Sequence, residues 1–141
     1  IFNPDLREKF RTFVEACELD LGHVFAFPAV EAAYSHGTEW LDQCLAYIQG
    51  NIDYLDALTR EHTPKIIVIR PQASYLIWLD CREMGLTQEE LNRFFVEEAH
   101  LALNDGAMFG EEGVGFMRLN VASPRSVIEQ AMKQLADAYN K

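Results

Sequence analysis

A chain of 141 residues, 49% hydrophobic and 11% aromatic, is long enough to bury one core and part of a second, which excludes a disordered tail. Twelve basic residues stand against 22 acidic ones, and the resulting net charge of −10 repels nucleic acid and anionic membrane surfaces, so both are set aside as partners. No apolar run approaches the roughly 20 residues that a membrane span requires.

In chain order, Asn3-Pro4 is a helix opening, because Asn caps free amides and Pro is tolerated in the first turn. This helix is expected to reach about Leu19 and to stop near Gly22. A short connection from His23 to Pro28 leads to a second helix, Ala29 to His36, closed by Gly37. Thr38 then caps a longer helix on which Leu41, Cys44, Leu45, Ile48, Ile52, Leu55 and Leu58 recur at three- and four-residue steps. From Pro64 the period changes. Lys65 to Ile69 and Tyr75 to Cys81 are β-branched or aromatic runs bounded by Pro71 and Gly85, and both predict strands.

Thr87-Gln-Glu-Glu90 is a capping box opening a helix that carries Leu91, Phe94, Phe95 and Ala99. A brief strand over Leu101 to Leu103, a loop from Asn104 to Gly115, a strand from Phe116 and a last helix from Ser123 or Pro124 to about Tyr139 complete the pattern. Helices first, then β-β-α-β-β-α, predict an α/β layer with helices packed on a small mixed or antiparallel sheet. The domain boundary is placed inside the long helix, giving residues 1–50 and 51–141. There is no internal repeat and no low-complexity segment.

Arg118 is the candidate functional residue. Alternation puts Met117, Leu119 and Val121 on one strand face, read as core, and Phe116, Arg118 and Asn120 on the other, read as a cleft wall. A guanidinium suits a carboxylate, since its planar fork donates two parallel charge-assisted hydrogen bonds that orient the bound acid. Spacing alone also allows an arginine on a solvated face or in a structural ion pair.

The motif adds to this reading. Phe109-Gly110, Gly113, the run Gly115-Phe116-Met117-Arg118-Leu119-Asn120, Ala122 and Pro124-Arg125 resemble the carboxy-terminal signature of class I/II pyridoxal-phosphate (PLP) aminotransferases of fold type I, in particular the cystathionine β-lyase-like C–S lyases of the MalY/PatB family. Upstream, Ala32-Ala33-Tyr34, Gly37, Trp40-Leu41, Tyr47-Ile48 and Asn51 are similar to the family's long interdomain helix. The run Ser74 to Asp80 is similar to its first strong small-domain strand, and Ile1 to Arg7 with Phe10 to the helix that follows its cofactor-lysine region. The resemblance spans nearly the whole chain, and the Arg118 segment is its most specific part.

The resemblance implies a C-terminal domain preceded by a remnant of the large PLP-binding domain, within a homodimeric parent enzyme that uses PLP. It also implies that Arg118 binds the substrate α-carboxylate. The parent is expected to be a C–S β-lyase of the cystathionine β-lyase or cysteine desulfhydrase type. A class I/II aminotransferase is the alternative within the family, and a non-catalytic α/β binding or oligomerisation module is the alternative outside it. In the family the Schiff-base lysine, the phosphate-binding residues and the aspartate facing the pyridine nitrogen precede the point matching Ile1. No catalytic residue is therefore assigned, and the chain alone is expected to bind no cofactor and to be inactive. Lys9 and Lys133 lie in charged helical patterns, Lys65 precedes a strand and Lys141 is the last residue; none has the desolvated or cation-flanked setting a Schiff-base lysine needs. The start at Ile1 rather than Met is read as the mark of a trimmed or processed chain, or of a removed signal.

Other residues carry less chemistry. Cys17, Cys44 and Cys81 are odd in number with no Cys-x-x-Cys pair, which points to a reducing cytoplasm and to small buried hydrophobes. His23, His36, His62 and His100 show no metal-ligand spacing, so no metal is expected. Glu111 and Glu112 are expected as solvated turn residues, and Gly110, Gly113 and Gly115 as a mobile loop beside the carboxylate site. Tyr75 and Trp78 fall on opposite strand faces, and core packing is expected for both.

Overall fold

The computed structural model describes residues 1–19 and 22–141. Its contacts divide the chain into two compact units, Ile1–Asp42 and Gln43–Lys141. In the first, helix α1 (Pro4–Ala16) opens as expected: Asn3 Oδ1 accepts from the amides of Asp5 at 2.9 Å and Leu6 at 3.1 Å. It ends three residues before Leu19, and the predicted stop near Gly22 adjoins residues 20–21, outside the described set. Helix α2 (Ala26–His36) starts earlier than expected and takes Pro28 into its first turn, where the missing amide costs no helical hydrogen bond. No described residue of this unit is buried; Phe10, Phe13, Val30 and Trp40 are among its exposed apolar side chains.

Helix α3 (Thr38–His62) begins in the first unit and runs into the second. Its apolar stripe splits accordingly. Leu41 and Leu45 are exposed, whereas Ile52 and Leu55 are buried and Ile48 and Leu58 pack at the core margin.

The second unit is a sheet covered on one face by helices. Strands β1 (Ile67–Ile69), β2 (Leu76–Asp80), β3 (Asn104–Asp105) and β4 (Phe116–Asn120) form a four-stranded sheet of order β1-β2-β4-β3, antiparallel throughout. The paired residues Val68, Leu79 and Met117, with Ile77, turn inward against α3, helix α4 (Gln88–Arg93) and helix α5 (Arg125–Tyr139). The helices contribute Leu55, Leu91, Phe95, Ile128, Met132 and Leu135 to this core. The predicted capping box forms, since Thr87 Oγ1 accepts from Glu90 N and Glu90 Oε2 accepts from Thr87 N.

Two local expectations change. The helix after Thr87 ends as a π-helical segment, Phe94–Glu98, and its wider turn lets the adjacent Phe94 and Phe95 both point inward, their rings edge-on at 5.3 Å. The strand expected over Leu101–Leu103 lies instead at Asn104–Asp105. Leu101 and Leu103 do alternate toward the core, which gives the strand-like pattern, but Leu101 N donates to Phe95 O at 2.7 Å and so closes the helix rather than joining a ladder.

The candidate carboxylate site

The open sheet face is crossed by one row of register partners: Ile69 on β1, Trp78 on β2, Arg118 on β4 and Asn104 on β3. Arg118 reaches it because Met117 and Val121 turn inward, as the alternation requires. Its Nη2 donates to Asn104 Oδ1 at 3.1 Å, and its guanidinium carbon sits 4.2 Å from the centroid of the Phe109 ring. Its Nε is buried and donates to nothing among the described residues. A buried, unpaired charged donor is costly and few native structures leave one without a reason.

The other arginines beside the sheet are spent internally. Arg82 donates from Nε and Nη2 to the two oxygens of Asp80, at 2.9 and 2.7 Å, and these bonds hold the Asp80 carboxyl below its ordinary range. Arg70 is paired with both Asp53 and Asp56. No ion pair among the described residues involves Arg118. Its neighbours supply an amide oxygen and a ring, and Nε has no hydrogen-bond partner among the described residues.

The loop beside it is braced. Asp105 accepts from Gln88 Nε2 and Asn92 Nδ2, each at 2.6 Å, and from Ala107 N at 2.8 Å, while Gln88 Oε1 accepts from Gly115 N at 2.7 Å. One glutamine thus ties the two ends of the loop together. Within it, Gly106–Phe109 and Glu111–Gly113 are short 3-10 turns. Gly106 and Gly113 pass so close that a Cβ on Gly106 would lie 2.2 Å from Gly113 O. The loop is folded onto itself, because two side-chain-free positions let the backbones touch. It carries Phe109 to the guanidinium, whereas Glu111 and Glu112 are exposed as expected.

Trp78 and Tyr75 correct the core-packing expectation. Trp78 stands on the open face, edge-on to Phe109 at 5.4 Å and Phe116 at 6.3 Å, and Tyr75, the residue before β2, is 45% exposed. Ile69, Trp78, Phe109, Glu112, Gly113 and Phe116 line a half-open concavity of about 240 Å³; Arg118 is not part of its wall and meets it only through the Phe109 ring. A larger groove, about 470 Å³, lies between α3 and α5 and mixes His62 and Lys133 with Glu129 and Asp137, with no buried charge aimed into it.

Of the cysteines, Cys81 is buried, Cys44 half-buried and Cys17 exposed, so the buried-hydrophobe reading holds fully for Cys81 alone. Burial, followed by the negative charge of Asp80, pushes the Cys81 thiol up to about 12, which keeps it protonated and unreactive. Among the described residues no cluster of His, Cys, Asp or Glu could hold a metal ion, and no helix is long and apolar enough to cross a membrane. Lys9, Lys65, Lys133 and Lys141 are all exposed, and none lines the concavity beside Arg118.

Residues of the site that sequence reasoning passed over are Asn104, Gln88, Asn92, Asp105 and Phe109 as a stacking partner. Gln88 was visible only as part of a helix start, and contacts that span 17 to 27 residues leave no periodic trace.

No family model matches the chain. It is 35% identical over 134 residues to cystathionine β-lyase PatB of Bacillus subtilis strain 168, a match covering 95% of this chain and 35% of that protein. It is 36% identical over 115 residues to protein MalY of Escherichia coli K12, covering 82% of this chain and 30% of that protein. The crystal structure of cystalysin from Treponema denticola, which contains a pyridoxal 5'-phosphate cofactor, superposes with a TM-score of 0.84 at 29% identity, covering 99% of this chain and 36% of that one. The chain therefore spans about a third of the length of the relatives it matches. With the same helices and small antiparallel sheet, and with identity sustained from end to end, it belongs to the MalY/PatB cystathionine β-lyase-like branch of the fold type I PLP-dependent enzymes, as a C-terminal portion of that fold.

Proposed function

We propose that the protein containing this chain is a PLP-dependent C–S β-lyase, cleaving the carbon–sulfur bond of cystathionine-like or cysteine-like amino acids, and that Arg118 holds the substrate α-carboxylate. The observation that carries the reading is the buried Arg118 Nε with no internal partner, beside an Nη2 held by Asn104 and a guanidinium face stacked on Phe109. A fork fixed on two sides is preorganised for bidentate contact with a third group. The role is to position the substrate rather than to react with it.

The residues described here fit the substrate's acid end and do not form a site for the cofactor. All four lysines are exposed, and none lines the concavity of Trp78 and Phe109. We assign the cofactor lysine and the phosphate-binding groups to the part of the family's length that this chain does not span. On the same reading, residues 1–50 belong to the large domain and the interdomain helix, and residues 51–141 form the small domain. The parent is then a cytoplasmic homodimer that binds no nucleic acid and no membrane.

The test is kinetic, in the full-length enzyme. Arg118→Ala should raise KM for the amino acid by roughly a hundredfold, as expected for loss of two charge-assisted hydrogen bonds, and should lower kcat as well. Arg118→Lys, which restores charge without the fork, should recover little of the loss. An unchanged kcat/KM in Arg118→Ala would overturn the assignment. Release of pyruvate and a thiol, against keto-acid-dependent amino transfer, separates a lyase from an aminotransferase.

A further inference from the structure

Asn51 is fully buried on α3, and its side chain is committed to a single distant corner of the chain. Its Nδ2 donates to Val121 O and Ser123 O, both at 2.9 Å, and its Oδ1 accepts from Arg125 Nε at 2.8 Å. The amide orientation follows from these partners, since carbonyls only accept and the guanidinium only donates. The same helix face continues the grip. One turn earlier, Tyr47 Oη accepts from Arg125 N at 2.6 Å; one turn later, the Tyr54 ring lies 4.6 Å below the Arg125 guanidinium. Gly50 leaves the room this requires, as a Cβ there would stand 3.3 Å from Arg125 Nη2.

The corner so gripped is the exit of β4, and Arg118 is three residues before Val121 on that strand. Val121 is held through both peptide groups that flank its Cα: its N–H donates to Tyr75 O at 2.9 Å, while its C=O accepts the Asn51 bond. Where β4 ends is therefore fixed by α3 as well as by β2. Apolar side chains could fill the same volume without specifying the end of the strand, whereas a fully satisfied buried amide specifies it.

We propose that Asn51 is a positioning residue for Arg118: through Val121, Ser123 and Arg125 it sets the height of β4 and so the point at which the guanidinium meets the substrate carboxylate. The inference rests on the reading of Arg118 as the carboxylate clamp. Displacement of a clamp by about 1 Å can cost up to a hundredfold in rate.

The experiment uses the full-length holoenzyme with S-methyl-L-cysteine as substrate and 2-(methylthio)ethylamine, the same molecule without its carboxylate, as competitive inhibitor. Asn51→Ala should raise KM for the amino acid about tenfold or more and leave the inhibition constant of the amine unchanged. Tyr47→Phe, on an exposed side chain, should do the same by about two- to threefold. An equal weakening of both ligands, or an unchanged KM in folded Asn51→Ala, overturns the proposal. If Asn51→Ala fails to fold, Tyr47→Phe decides by the same criterion. Arg118→Ala is measured alongside: if it does not raise KM for the amino acid, the clamp reading itself fails; if it does and the Asn51 and Tyr47 variants do not, only the positioning role fails.

Discussion

Phe109 and Asp80 show how single side chains divide the labour on the open face. Phe109 gives the Arg118 guanidinium a flat surface without neutralising its charge, so Phe109→Leu in the full-length enzyme should raise KM for the amino acid about three- to tenfold, with kcat nearly kept. Asp80 has the opposite task and absorbs the neighbouring Arg82. Its folded-state acidity is strengthened chiefly by the Arg82 side-chain bonds; burial is the next effect and opposes them, and the Arg82 backbone amide and charge add smaller contributions that strengthen it. A carboxyl with a depressed folded value contributes stability above its ordinary value near 3.8, and the contribution disappears as pH falls through the lower folded value. Arg82→Gln should therefore lower stability above about pH 4, pH 7 included, and the deficit should shrink as pH falls through the folded value of Asp80, which leaves a flatter acid limb in urea unfolding across pH.

At the scale of elements, the α4 start is the clearest case of local sequence dictating local structure. Thr87→Ala removes the acceptor for Glu90 N and should lower stability by about 1 kcal/mol, read as a fall of several degrees in the thermal midpoint. Such caps were legible because their residues sit three apart and their bonds are local. So was the face of Arg118, because a strand's period of two needs no knowledge of its neighbours. The β3 position was not legible, since Leu101 and Leu103 show a strand's alternation while the Leu101 amide is already committed to Phe95. Nor was the place of Trp78: alternation assigned it a face, but only the register with Arg118 and the arrival of Phe109 from a distant loop reveal which face stays open. The interior role of Asn51 had no signature at all, because its three partners lie 70 to 74 residues away.

For the whole molecule, the two units differ in what holds them. Gln43–Lys141 has a sheet, three helices on one face of it and a continuous buried cluster, whereas no described residue of Ile1–Asp42 is buried. A chain limited to residues 43–141 should therefore unfold cooperatively by itself. It should also bind less of a hydrophobic dye such as ANS than residues 1–141, since Phe10, Phe13 and Trp40 are gone. Incubating residues 1–141 with PLP, followed by borohydride reduction, should give no stoichiometric adduct at any of Lys9, Lys65, Lys133 or Lys141; one specific adduct would contradict the division of labour proposed for the intact protein.

The row Ile69–Trp78–Arg118–Asn104 draws one side chain from every strand, so it has no tolerance for a change of strand length. Deleting Phe116 would send the guanidinium into the oily layer under the sheet and bring Met117 out to the solvent. Descendants of this sequence can thus retune the anion clamp by swapping side chains in place. Growth or shrinkage of the chain is confined to the bends outside the ladder, such as residues 71–74.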